Sequence, residues 1–287
     1  LPSSTSYQKA FITSITPQPK TVIKDKDGNW IAKYDLLPTQ QLDIIVDGKA
    51  TVSLNPHGEP LSRENREAYL EAKPYWPADS DHFKELADEL VTPEAIYTYV
   101  ASSLEYDFSR VTKDKPRLGA NEALKQKQSA ACREFTDLFI TIARAAKIPA
   151  REVNGFAYTE NSKQRPLSLM KDVLHAWPEY YDDTRKTWVM VDPTWGSTTG
   201  GIDYFSILDF DHLAFVIKGR DSEHPIPAGG YKLANSKTTK DVQVTFAETI
   251  PTDDPLLKVT SKFPEVVIAG LPIEGEIILK NTGSTEF

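Results

Sequence analysis

Ser129-Ala130-Ala131-Cys132-Arg133-Glu134-Phe135-Thr136-Asp137-Leu138-Phe139 opens the run whose reading decides the fold. Phe135, Leu138, Phe139, Ile142, Ala143 and Ala146 recur at helical spacing and form one apolar stripe. The spacing predicts a helix over about 130–147, stopped by Lys147-Ile148-Pro149. Ser129 reads as its N-cap, which sets Cys132 at the third helical position. Cys132 is the only cysteine in 287 residues. A helix start offers unpaired N–H groups and a positive end, which stabilise an anion. Cysteines in such sites ionise at roughly 3.5–7.5 rather than about 8.5. The same N–H groups suit the oxyanion of a tetrahedral intermediate.

Downstream, 151–158, 174–181 and 187–192 are rich in aromatic and β-branched residues and read as strands of an antiparallel sheet. His175 opens the second and Asp192 closes the third. A hairpin turn centred between Asp183 and Thr184 sets His175 directly opposite Asp192. Their Cβ atoms then lie about 4.5–5.5 Å apart, close enough for the carboxylate to orient the ring. Thiol, imidazole and carboxylate, in the order Cys132, His175 and Asp192, are the parts of a nucleophilic catalytic site.

Upstream, residues 1–56 read as a small antiparallel β unit. Thr21-Val22-Ile23 and Trp30-Ile31-Ala32 flank the turn Asp27-Gly28, and Leu42–Val46 and Ala50–Leu54 flank a second turn at Asp47-Gly48. Short helices are expected at 62–72 and 80–90, then one opened by Thr92-Pro93. After Gly229-Gly230 the alternation of Val242, Val244 and Phe246, then Leu257–Val259, Val266–Ile268 and Ile277–Leu279, reads as the start of an Ig-like β-sandwich. A turn at Asn281-Thr282-Gly283 follows, too early for a closed sandwich, so this unit is expected to be truncated. The division is therefore 1–56, 57–232 and 233–287 in an α+β protein.

A net charge of −8 argues against a nucleic-acid surface. One cysteine excludes an internal disulfide framework and a Cys-rich zinc site. No run reaches the roughly 18 apolar residues of a membrane helix. A start at Leu1 suggests processing or excision from a longer precursor.

As an ordered set, five segments resemble the transglutaminase-like superfamily: Arg117-Leu118-Gly119-Ala120, Cys132–Leu138, Ile148–Phe156, His175-Ala176-Trp177-Pro178-Glu179-Tyr180, and Trp188–Trp195. The resemblance implies a papain-like core, a helix carrying Cys132 packed on an antiparallel sheet, with β units on either side. It implies Cys132 as nucleophile, His175 as general base and acid, and Asp192 as the carboxylate orienting it. Attack on a protein or peptide amide gives a thioester, resolved by water (a cysteine protease or amidase) or by an amine (an acyltransferase). No metal or cofactor is called for. Where animal members carry Gln-Cys-Trp, this chain has Ala131-Cys132-Arg133, and their oxyanion-stabilising tryptophan has only Tyr106 or Trp76 as a counterpart. The departure favours amide hydrolysis over cross-linking. The flanking β units resemble secreted or surface-attached bacterial and archaeal members, which implies an extracytoplasmic location. The alternative is a surface scaffold or binding module that keeps the fold without turnover.

Other features are expected to be inert. His57, His82, His212 and His224 lack metal-ligand spacing. Asp209-Phe210-Asp211-His212 reads as a loop turn, and Asp25–Asn29 as a hairpin rather than a calcium loop. Trp177 and Trp195, flanking His175 and Asp192, are candidates to line a cleft.

Overall fold

A computed structural model describes the chain apart from residues 111–114, 162, 167–173, 207–209, 228–241, 250–256, 265, 267, 269, 271 and 282–287. In chain order the elements are β1 (Gln8–Thr16), β2 (Thr21–Lys24), β3 (Trp30–Lys33), β4 (Ile45–Val52), α1 (Arg63–Ala68), α2 (Asp81–Glu89), α3 (Pro93–Ser103), α4 (Gly119–Lys125) and α5 (Cys132–Ala145). There follow β5 (Ala150–Ala157), β6 (Leu174–Asp182), β7 (Thr187–Met190), α6 (Pro193–Thr198), β8 (His212–Lys218), β9 (Leu257–Lys262) and β10 (Glu276–Asn281). The class is α+β, with one four-stranded antiparallel sheet in the order β7-β6-β5-β8.

α5 is the centre of the core. Phe135, Leu138, Phe139 and Ile142 are fully buried together with Ile96 and Val100 of α3, Trp195 of α6 and Ala150 and Ala157 of β5. The stripe was legible in the sequence, but the opposite side of the helix is buried too: Glu134, Thr136, Asp137, Thr141 and Arg144 are at most 1% exposed. Each of the charged ones has found partners, as burial demands. Asp137 accepts from Trp76 Nε1 (2.8 Å) and Arg117 Nε (2.9 Å). Arg144 donates to the carbonyls of Ala150, Glu71 and Gly219.

A second apolar layer, Val153, Trp177, Met190, Ala214 and Ile217, packs under Tyr7 and Val52 of the N-terminal segment. That segment also closes the free edge of β8 with side chains. The Gln8 amide exchanges hydrogen bonds with both backbone groups of Ala214 (2.7 and 2.8 Å), and the Asn29 amide does the same with Ile217 (2.8 and 2.7 Å). Unpaired strand edges invite foreign pairing, and covering them is a common remedy.

Thr92 caps α3 through Ala95 N (3.2 Å), and β2 pairs with β3 as the Asp27-Gly28 turn predicts. In that turn Asp25 accepts from the backbone of Asp27 and Asn29, so its carboxylate serves the hairpin. The second expected hairpin does not form. Asp47 and Gly48 lie inside the continuous strand β4, which pairs along its length with β1. Long-range pairing with β1 has overridden a local turn signal, because it satisfies eight residues of backbone rather than a two-residue turn. In the C-terminal stretch β9 and β10 pair antiparallel, while residues 242–249 form no strand. Gly229-Gly230 and Thr282-Gly283 lie outside the described residues.

Candidate active site

The helix that carries Cys132 starts later than its sequence suggests. Ala131, extended at φ −118°, is the N-cap, and Cys132 is the first helical residue. Ser129 does not cap it. The chain just before the helix is committed to extended pairing: Ala130 bridges Tyr106, and its carbonyl accepts from Asp107 N (2.8 Å). The cap is supplied instead by Glu134, whose Oε2 accepts from Ala131 N (2.9 Å) while Oε1 accepts from Leu118 N (3.1 Å). The N–H groups of Cys132 and Arg133, as the first two of the helix, have no intrahelical acceptor.

The His–Asp pairing predicted from the hairpin is present, but by another route. Turn residues 183–186 bring Tyr181 opposite Trp188 and Glu179 opposite Met190, a two-residue difference from the expected register. Asp192 is not on β7 at all. The strand ends at Met190, Val191 N donates to Pro178 O (3.2 Å), and Asp192 becomes the N-cap of α6. Its Oδ1 accepts from Thr194 N and Trp195 N, each at 3.0 Å. Pro193 at the first helical position fits this start. Oδ2 then reaches His175 Nε2 at 2.9 Å. Across the sheet His175 faces Gly155 of β5 rather than Asp192.

Gly155 is required there. A Cβ would stand 2.0 Å from the Leu213 carbonyl and 2.9 Å from the Trp177 ring. The β5–β8 pairing is bulged between Asn154 and Gly155, which re-aims the start of β8. The residue delivered by that bulge is His212, fully buried, with Nε2 3.2 Å from the same Asp192 Oδ2. The expectation of a loop turn at His212 was therefore wrong. The signal that could have found the strand is the apolar run Leu213-Ala214-Phe215-Val216-Ile217, which suits a strand buried on both faces.

The imidazole of His175 stacks on Trp195 (centroids 5.1 Å, 19°) and lies 6.0 Å from Trp177. Burial pushes its proton affinity down. The charge and hydrogen bond of Asp192, joined by the Cys132 sulfur, outweigh burial and raise the ring to about 10. For Asp192, burial pushes the carboxyl up, but the charge and hydrogen bond of His175, then of His212, hold it well below the ordinary carboxylate range. An ionised carboxylate only accepts, so both imidazoles present Nε2–H to it. His175 Nδ1 makes no hydrogen bond of ordinary geometry, and it is the ring nitrogen left for the neighbouring thiol.

Cys132, His175 and Asp192 are each at most 1% exposed. Trp76 is spent on Asp137 and on the guanidinium of Arg144 (4.5 Å), deep in the core. Tyr106 is different: its hydroxyl is buried without a hydrogen-bond partner and lies in the field of Cys132. Burial, then Cys132 and Glu134, push its ionisation upward, so it stays a neutral donor. Among the described residues, His175, Asp192 and His212 could together hold a metal, with ligand atoms within 4.8 Å of one another. The 2.9 and 3.2 Å contacts already satisfy Oδ2 with two N–H donors.

The model of the transglutaminase-like superfamily matches residues 82–193. A protein-glutamine gamma-glutamyltransferase of Pseudomonas aeruginosa is 30% identical over 118 residues, which are 38% of this chain and 18% of that protein. The chain thus spans under a fifth of that relative's length. Among solved structures, a candidate cysteine protease from Cytophaga hutchinsonii is 17% identical with a TM-score of 0.46, covering 77% of this chain and 74% of that one. The periplasmic domain of TgpA from Pseudomonas aeruginosa is 18% identical with a TM-score of 0.41, covering 70% and 71%. The segment 82–193, which contains the thiol, the imidazole and the carboxylate, is the part of the chain that carries the likeness to the transglutaminase-like superfamily.

Proposed function

We propose that this chain is a thiol enzyme of the transglutaminase-like type that cleaves or transfers acyl groups at protein or peptide amides. The observation that carries the reading is the His175 ring, held by Asp192 and adjacent to the Cys132 sulfur at the first residue of α5. The sulfur of the Cys132 thiolate bonds to the amide carbonyl carbon, and the electron pair moves to oxygen. Return of that pair expels the amine, which takes the proton from His175, leaving a thioester on Cys132. Water or a primary amine then attacks the thioester, gives its proton to His175 and releases a carboxylic acid or a new amide. The N–H groups of Cys132 and Arg133 and the unengaged Tyr106 hydroxyl suit the transient oxyanion. No cofactor enters these steps.

Protein or peptide substrates follow from this chemistry. The glutamyltransferase named among the relatives supports amine as an acceptor beside water. β pairs at both ends of the chain support an extracytoplasmic setting and the division into 1–56, 57–232 and 233–287. No helix among the described residues is long and apolar enough to cross a membrane.

The burial of Cys132 favours a second reading, a module that keeps the fold as a scaffold. Turnover requires the groups covering the sulfur to move aside. Mass spectrometry after incubation with a glutamine-containing peptide and a primary amine separates hydrolysis, transfer and inertness. For an enzyme, iodoacetamide labels Cys132 stoichiometrically near pH 7, faster than a free thiol, and His175→Ala slows it. Labelling slower than a free thiol, with no peptide product, establishes the scaffold.

A further inference from the structure

Asp192 spends its two oxygens unequally. Oδ1 is fixed by the backbone of Thr194 and Trp195, so the carboxylate is oriented without help from any side chain. Oδ2 nonetheless carries two imidazoles, His175 at 2.9 Å and His212 at 3.2 Å, with ring centroids 5.7 Å apart. His212 is not needed to aim the carboxylate. It is held with care all the same: fully buried, edge-on to Trp177 (4.9 Å, 77°), against Trp195 (4.6 Å), and delivered by the bulge at Gly155.

We propose that His212 is a positioning residue that donates from Nε2 to the Asp192 oxygen used by His175, and so limits how tightly that carboxylate holds the His175 imidazolium. A second donor on an anionic oxygen disperses its charge and weakens it as an acceptor for the first. The catalytic need is plain. An acid that must protonate a leaving amine works best with a proton affinity near the working pH, and a ring bound too firmly keeps its proton. The charge and hydrogen bond of Asp192 push His175 toward that limit, against the opposing effect of burial. The catalytic meaning rests on the thiol-enzyme reading above, whereas the coupling between the two rings is a property of these side chains whether or not the chain turns over.

Other ionisable groups surround the cluster and define the controls. Cys132 of α5 faces His175, and the phenols of Tyr97 from α3 and Tyr106 ahead of α4 lie in the field of Asp192. Arg165, paired with Asp211 (3.3 Å), sits over Trp195 (5.5 Å) and Tyr204 (5.9 Å).

The test is an NMR titration of the His175 ring in the full chain, in a Cys132→Ser background so that the thiol does not titrate with it. His212→Phe removes the donor and keeps the ring. His212→Gln keeps an amide N–H near the position of Nε2. His212→Phe is expected to raise the His175 midpoint by about half a pH unit or more, His212→Gln to restore it, and Asp192→Asn to abolish the difference between them. Should His212→Phe fail to fold, His212→Asn, whose amide is too short to reach Oδ2, is read the same way. A midpoint unchanged or lowered on loss of the donor, or a difference that survives Asp192→Asn, overturns the proposal. Iodoacetamide labelling of the wild-type thiol reads the enzyme reading separately: an inert thiol with coupled rings sinks the function and leaves the coupling standing.

Discussion

Asp192 accepts four hydrogen bonds, two from the start of α6 and two from imidazoles, and every one favours its charged form. The proton balance of the folded state follows. His175 is raised to about 10 when folded, against about 6.5 in an unfolded chain. Between those values the native state binds more protons, so the contribution of this ring is complete below about pH 6.5 and is lost as pH rises toward 10. Asp192 acts in the opposite sense: its contribution is present above about pH 3.9 and is lost as pH falls toward its depressed folded value. Thermal melting of the wild type is therefore expected to decline from pH 7 to 10 more steeply than that of His175→Gln. Parallel slopes overturn the assignment. Tyr106 makes a separate prediction. If its free hydroxyl meets the oxyanion, Tyr106→Phe lowers turnover of a peptide amide by about 10²–10³-fold with little change in melting temperature. An unchanged rate removes it from the mechanism.

At the scale of elements, α5 was the most legible part of the chain, and its start was the least. Apolar spacing identified the helix because packing demands a continuous stripe. It could not show that Ala130 is held in a bridge to Tyr106, which delays the helix to Cys132. Nor could it show that Glu134, three residues into an apolar run, is the cap. Its carboxylate holds two backbone N–H groups and lies 3.4 Å from Arg110. Glu134→Ala strands those donors in a dry interior, and chemical denaturation is expected to show a loss of about 2–4 kcal/mol. A loss under about 1 kcal/mol means that water replaces the carboxylate. The β6–β7 hairpin teaches the same lesson. Its strands and turn were readable, but the register differs by two residues, and Asp192 meets His175 only because the chain leaves β7 after Met190 and enters α6.

At the scale of the whole molecule, the N-terminal segment is tied into the four-stranded sheet. Gln8 and Asn29 finish the edge of β8 with amides that imitate a neighbouring strand. Asn29 is fully buried and also donates to Asp25 Oδ2 (2.9 Å). Asn29→Ala leaves both backbone groups of Ile217 unpaired, and is expected to cost about 2–3 kcal/mol in global unfolding. A variant in which only the first 56 residues loosen, with the sheet as protected from amide exchange as in the wild type, refutes this tie. Residue chemistry and periodicity, by themselves, determined that a lone thiol stands near the start of a helix, with strands, a histidine and an aspartate to follow, because burial imposes its period on any strand or helix; the packing of that helix on the sheet came only as what the family resemblance implies. The tertiary structure alone decided where the helix begins, which backbone groups orient Asp192, and that His212 shares its oxygen. Those depend on hydrogen bonds between segments far apart in the chain, for which no local pattern exists.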